Sequence, residues 1–481
     1  MSFSGAVKIA PDALSDYIAP SQDCVVALDG GRVRIDDLGD AGEVAIRSRR
    51  SAPETRAPTG EAVKVTLSDC LACSGCVTSA ESVLLEQQSV DEFLSVRKRL
   101  RSMGRGIVDW DLGVIVVSVS PQSLCSLGKA YGLDKQDTWT KFSGLMRDMG
   151  AYKVYDISGA RDLALAETYA EFVERANGGA PTPLLASACP GWVCYAEKTH
   201  GELAIPHMAT TKSPQQIMGT FVKSAVARDL GVSPDRVYHV SVMPCYDKKL
   251  EASRDDFMRG GVKDVDLVLT TGEVVVLLEK AGLHHLREAP NYAYDLMCDG
   301  FRVPPESEIA AHFVSGSGGY AEYVFRRAAA EIFNTPVMGA IEWVQLRNMD
   351  MREATLTVNN EVVLRVAVAY GFRNIQNLVR SLKMKKCKHH FVEIMACPSG
   401  CLNGGGQLPA PEGMSNKELV DALDEHYRIV ERERNRVDVD FLYRAWIGGA
   451  PGSQPAREIL RTQYHIRDKT PVGVIQLGNN W

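Results

Sequence analysis

The stretch FVEIMACPSGCLNGGGQ, residues 391–407, decides how the rest of the chain is read. It opens as a short apolar run and ends in a loop of glycines, one proline and two thiols, Cys397 and Cys401. A spacing of four lets one helical turn or a tight loop aim both thiols at one object. Glycine removes the side chains that would hold backbone N–H groups away from that object. Glycine-lined thiols around a buried anion suit an iron–sulfur cluster better than a disulfide, and two ligands are too few for one.

Outward from this stretch the same pattern repeats: an apolar strand, then a loop with a cysteine. PLLASA (183–188) leads into SACPGW and Cys189, and RVYHVSVM (236–243) leads into MPCYDKKLE and Cys245. Further strands are expected at GVIVVSVS (113–120), KVYDIS (153–158), DVDLVLTT (264–271), VVLRVAVAYG (362–371) and HFVEIMA (390–396). Helical stretches such as ARDLALAETYAEFVERA, GEVVVLLEKAG and FRNIQNLVRSLKM fall between them. Alternating strands and helices predict an α/β fold with mainly parallel sheets and helical crossovers. In such sheets ligands sit beyond the carboxyl ends of the strands, where Cys189, Cys245, Cys397 and Cys401 fall. Spacing alone allows these four to converge on one buried 4Fe–4S cluster.

A second group lies near the start. CLACSGC places Cys70, Cys73 and Cys76 in a C-x2-C-x2-C run, the spacing with which short loops wrap a cubane. A bacterial ferredoxin would continue with a fourth cysteine and a proline, where this chain has Ala80 and Glu81. The fourth ligand must come from elsewhere, and Cys24 in SQDCVV is the natural candidate. Zinc held by four cysteines is the alternative for this group.

Twelve cysteines in 481 residues call for metal binding rather than a disulfide framework. Apolar content of 45% and charged content of 24% are those of an ordinary soluble protein. With 54 Lys and Arg against 60 Asp and Glu, the net charge of −6 gives no reason to expect nucleic-acid or anionic-membrane binding. No apolar run approaches the ~18 residues of a membrane span, and the start has no signal-peptide core. The expected compartment is the cytosol or nucleus.

SACPGW, MPCYDKKLE and FVEIMACPSGCLNGGGQ together resemble the three signature loops of FeFe hydrogenases, and FLYRAWIGGAPGSQPAREILRTQYH resembles the small-subunit segment that wraps those enzymes. The nearer resemblance is to the cytosolic hydrogenase-like iron–sulfur assembly factors related to the nuclear prelamin A recognition factor. It rests on the lone upstream cysteine, CLACSGC, SPQS (120–123), single-cysteine ACPGW and a C-terminal tryptophan. The resemblance implies two hydrogenase-like α/β lobes around a buried 4Fe–4S cluster, plus a small N-terminal ferredoxin-like cluster region. The expected divisions are 1–105, 106–414 and 415–481, the last a wrapping segment with a targeting tail. It also implies two 4Fe–4S clusters, one on Cys24, Cys70, Cys73 and Cys76, the other on Cys189, Cys245, Cys397 and Cys401. Gly400 and the glycines of 404–406 would then admit backbone close to the buried cluster.

The resemblance further implies a protein that passes clusters to cytosolic and nuclear apoproteins, between an early scaffold and a late targeting complex with a β-propeller subunit. In that family a terminal aromatic tail docks on the targeting complex. Trp481 fits, though Asn480 stands where an acidic residue is usual. A hydrogenase carries a proton-relaying cysteine where this chain has Ala188, whose methyl group can neither accept nor donate a proton. A ferredoxin-like electron carrier is the third function to weigh. Met243, Lys248, Glu251 and Met395 stand where the hydrogenase loops place theirs, so Lys248 either clamps a ligand or pairs with Glu251 while the methionines fill the core. Cys125, Cys194, Cys298 and Cys387 are expected to be packing residues, His389 and His390 a solvated strand end, and GSGGYA (316–321) a helix-start turn.

Overall fold

The computed structural model describes residues 87–101, 113–178, 181–297, 302–303, 316–433 and 436–467. Cys24, Cys70, Cys73, Cys76, Cys298 and Trp481 lie outside the described residues.

The first sheet is built from β1 (Val114–Val119), β2 (Ala151–Asp156), β4 (Val237–Met243) and β5 (Leu267–Thr270); the chain's third strand, β3 (Leu184–Ala186), goes elsewhere. Its order is β2-β1-β4-β5 and every pairing is parallel. β1, VIVVSV, is buried along its whole length, as expected of a continuous β-branched run covered on both faces. The second sheet joins β3 to β6 (Val344–Gln345), β7 (Met351–Val358), β8 (Glu361–Tyr370) and β9 (Phe391–Met395), in the order β3-β9-β8-β7-β6. β3, β9 and β8 are parallel, while β7 and β6 run antiparallel. The helix Ser158–Gly178 thus carries the chain from one sheet to the other.

All seven strands expected from sequence are present. β7 was not foreseen, because MREATLTV mixes charge with apolar residues. Its burial is irregularly alternating, which suits a half-exposed antiparallel strand. It turns into β8 through Asn359 and Asn360, both left-handed at φ 51° and 67°. Asparagine tolerates that conformation in two-residue hairpin turns.

Phe93 and Val96 pack with Val117, Phe142, Leu145, Val242 and Leu269 in the core of the first lobe. The helix Val90–Arg101 is therefore part of that lobe's packing, although the sequence groups it with the N-terminal region. Trp192, Val366, Ile394, Tyr443 and Leu460 belong to the larger core of the second. The amphipathic helix Asn416–Glu433 packs Leu423 and Tyr427 onto Cys125 and Leu402.

Residues 438–467 form a strap. Glu167, fully buried on helix Ser158–Gly178, accepts from the Tyr443 hydroxyl at 3.0 Å, the Gly452 N–H at 3.0 Å and Arg461 Nε at 2.7 Å. Further on, the His465 N–H meets Glu197 at 3.1 Å. Glu197 also takes a two-pronged bond from Arg254, at 2.7 and 2.9 Å. Among the described residues no helix is long and apolar enough to cross a membrane.

Candidate metal centre

Each of the four candidate ligand cysteines lies past a strand end, where the backbone leaves the sheet and its direction is free to change. Cys189 follows β3, Cys245 follows β4 and Cys397 follows β9, with Cys401 in the short turn Gly400–Asn403. Cys189, Cys397 and Cys401 thus come from neighbouring parallel strands of the second sheet, and Cys245 comes from the first. All four are free of disulfides.

Cys189 caps the helix Pro190–Thr199, and the Ala396 N–H points at its sulfur from 3.4 Å. Burial pushes its thiol up and Asp247 adds to this, while the N–H groups of Ala396 and Trp192 pull it back down. For Cys245, burial pushes the thiol well up, followed by Asp247 and then by Cys397, Cys189 and Cys401. Cys401 is pushed up to about 12, first by burial and next by Cys189. Every pair in this set that repels shows the same thing: the four sulfurs lie within electrostatic reach of one another in a place that resists negative charge. As thiolates they need cationic neutralisation, which iron or zinc supplies. Among the described residues, no three His, Cys, Asp or Glu side chains gather closely enough to hold a single metal ion.

The glycines of the opening stretch serve the protein's own backbone. A methyl group on Gly404 would overlap the Pro244 carbonyl oxygen, and one on Gly406 would crowd Thr270. The Gly406 N–H instead donates to Pro244 at 2.8 Å. Pro244 precedes Cys245, so these glycines press the Cys401 loop against the Cys245 loop. Gly400, at φ 78°, leaves no room beside Ser317, whose hydroxyl accepts the Cys401 N–H at 2.9 Å. The same glycines thus make loop-on-loop contact as well.

SPQS ties the same loop from the other side. Gln407 donates to the Gln122 carbonyl at 3.0 Å, and its own oxygen accepts from Thr271 at 2.8 Å. GSGGYA is the helix-start turn expected of it, with Gly319 left-handed before helix Tyr320–Glu331. Its Ser317 was not singled out by sequence reasoning, and nothing in the spacing marks it. Glu393 was also missed, yet it carries a signal: one acid inside the apolar run FVEIM. It is fully buried, accepting the Ala321 N–H and the Tyr370 hydroxyl, each at 2.8 Å. Burial raises its carboxyl, and these two donors draw it back.

Lys248 pairs with Glu251 at 2.9 and 3.1 Å. Glu251 also accepts from Ser213 at 2.5 Å and from Gln215 and Gln216 at 3.2 and 3.3 Å. The ion-pair reading of Lys248 therefore holds. Met243 and Met395 are buried in the core, with Met395 Sδ 3.9 Å from Cys401 Sγ. Cys125 is buried packing, as expected. Cys387, partly buried, packs on the larger core as expected, while the histidines differ. Cys387 is half buried against His389, which meets Glu353, while His390 accepts the Arg365 N–H at 2.9 Å. The strand pairing that draws these rings inward is not visible in KCKHH alone.

Residues 113–405 match the family model described as the iron only hydrogenase large subunit, C-terminal domain. A cytosolic Fe-S cluster assembly factor of Xenopus tropicalis is 44% identical over 98% of this chain and 98% of its own length. Cytosolic iron-sulfur assembly component 3 of Mus musculus is 45% identical, again with 98% of each chain covered. Among solved structures, an apo [FeFe]-hydrogenase variant of Chlamydomonas reinhardtii superposes with a TM-score of 0.66 at 26% identity, covering 78% of this chain and 98% of that one. The hydrogenase likeness thus lies in the domain that brings the four cysteine-bearing strand ends together, and the full-length likeness is to proteins named for cluster assembly. The chain belongs to the family of cytosolic iron–sulfur cluster assembly factors built on the iron-only hydrogenase large-subunit domain.

Proposed function

We propose that the chain acts in cytosolic iron–sulfur protein assembly, binding two 4Fe–4S clusters and passing clusters to cytosolic and nuclear apoproteins. The observation that supports this best is the convergence of Cys189, Cys245, Cys397 and Cys401, from two sheets, on one charge-resisting place. A bound cubane would supply a cationic core for four thiolates and covalent ties between three loops. The protein's part is to hold those loops in register, through Gly404 and Gly406 on Pro244 and Ser317 on Cys401.

The second cluster is assigned to Cys24, Cys70, Cys73 and Cys76 on spacing and resemblance. Trp481 is assigned to docking on a targeting complex with a β-propeller subunit, so that the chain bridges scaffold and clients. Hydrogen chemistry is not part of the proposal, since Ala188 offers no proton relay. The test is transfer: anaerobically loaded protein is mixed with an apo-client, and client activation is followed with and without Trp481. Activation by the intact chain and at least tenfold slower activation by the truncated one, with equal iron content, supports the reading. Loaded protein that never activates a client, in the presence of the targeting complex, refutes it.

A further inference from the structure

A thiol, an imidazole and a carboxylate meet at the opposite end of β9 from the cysteine loops. Cys387 lies between helix Phe372–Lys383 and β9. Its Sγ is 3.5 Å from Nδ1 of His389, and Nε2 of that ring is 3.0 Å from Oε2 of Glu353 on β7. Nucleophile, base and orienting carboxylate in this order are the arrangement that activates a thiol. Glu353 accepts from Nε2, which fixes the tautomer and leaves the Nδ1 lone pair facing the sulfur. Burial holds His389 below its usual value although Glu353 draws it up, so the ring is neutral at neutral pH. Burial likewise holds Cys387 as a thiol, while the backbone N–H of His389 draws it back down. The resting pair is therefore a neutral base beside a protonated nucleophile. His390 is occupied by the Arg365 N–H and does not compete.

The neighbouring sequence is cationic: Lys383, Lys385, Lys386 and Lys388 flank the thiol along the chain and are exposed, while Arg365 lies 3.8 Å from Glu353. Partly exposed, electropositive settings are where thiols react selectively, and like fields concentrate anionic reactants. Cys387 is partly exposed, and the His389 and Glu353 side chains keep 13% and 20% of their surface open.

We propose that Cys387 is a modification site at which the thiol, with His389 as base, exchanges with the disulfide of a small anionic thiol of the glutathione kind. As Sγ attacks one sulfur of the disulfide, the Sγ proton passes to Nδ1 of His389. The disulfide S–S bond breaks, a new S–S bond joins Cys387 to one half, and the departing thiolate takes the proton from His389. One mixed disulfide and one free thiol result, with no other oxidant required. The site is separate from the cysteine loops, so its test does not depend on cluster binding.

The full-length, anaerobically purified protein is incubated with oxidised glutathione, and mixed disulfides are mapped by mass spectrometry of unreduced digests. Cys387 is expected to be modified at least ~10-fold faster than buried Cys125, and His389→Gln to slow Cys387 by ~10-fold or more, as loss of a general base does. Reversing charge with Lys385→Glu and Lys386→Glu should slow glutathione disulfide yet speed cystamine, a cationic disulfide. Equal labelling of Cys387 and Cys125, an unchanged rate in a folded His389→Gln protein, or the same response of both disulfides to charge reversal overturns the proposal. Should His389→Gln not fold, the charge-reversal arm decides alone.

Discussion

The two sheets meet the candidate centre unequally. The first is wholly parallel, is buried along β1, and sends one thiol, Cys245, backed by the Lys248–Glu251 pair. The second is parallel only from β3 through β8, carries an antiparallel hairpin, and sends three thiols. A site split one to three depends on how the lobes are held together as much as on its ligands. The structure puts that hold in few places. Arg254, just past the helix Asp247–Ala252 that follows Cys245, grips Glu197 on the helix that follows Cys189. The glycine loop of Cys401 lies on Pro244.

The largest effect is expected at Glu197. Glu197→Ala leaves Arg254, whose side chain is 9% exposed, without its two-pronged partner. It also removes the acceptor of the His465 N–H, leaving that end of the strap held by the His465 ring on Asp256 at 3.1 Å. Breaking one side of a buried pair costs about 3–5 kcal/mol, and Asp256, 2.9 Å from Arg254, offsets part of that. Urea unfolding should show this, and iron retention should fall although no ligand is touched. A loss confined to stability, with iron unchanged, would separate the lobes' docking from the site.

Next comes Gly404→Ala against Gly231→Ala. Gly404 has an ordinary φ of −67°, so alanine there strains only contacts, chiefly with Pro244 and also with the Cys401 carbonyl oxygen. Gly231 is left-handed at φ 68° with open space around it, so alanine there strains only the backbone. The first should cost about 1–3 kcal/mol by overpacking and loosen iron. The second should cost about 1 kcal/mol and leave iron in place. Equal iron loss in both would remove the special role of the loop-on-loop contact.

The pH dependence of the metal-free protein sharpens the same comparison. Cys401 rises from the ordinary 9.0 to about 12 in the folded state. The folded protein therefore holds a proton that the unfolded chain has already lost, so stability present below pH 9 falls as pH rises toward 12. Loaded protein, whose thiolates are paired with metal, should lack this fall, and loading should release protons. Thermal unfolding between pH 8 and 10 checks the sign. The smallest effect is expected for Ala188→Cys, which should change stability by about 0.5 kcal/mol or less and evolve no hydrogen from a low-potential dye.

Much of this was legible in the sequence because strand ends and cysteines coincide. PLLASA, RVYHVSVM and HFVEIMA each announce both a buried strand and the loop that follows. What was not legible depends on partners far along the chain. The glycines at 404 and 406 read as room for a guest, but their neighbours are Pro244 and Thr270, more than a hundred residues upstream. Ser317 is an ordinary serine until folding brings it under Cys401. KCKHH reads as a solvated end because Glu353, which draws His389 inward, lies on the one major strand that charge disguised. Cys24, Cys70, Cys73, Cys76 and Trp481 rest on sequence alone.

The most direct test is iron and sulfide analysis with Mössbauer spectroscopy on anaerobic protein in which Cys70 and Cys73 are replaced by alanine. The account predicts about four irons per chain in a cubane, as one 4Fe–4S site requires, and their loss when Cys245→Ala or Cys401→Ala is added. Stoichiometric zinc in place of iron, or a cubane that survives removal of both Cys245 and Cys401, would contradict it.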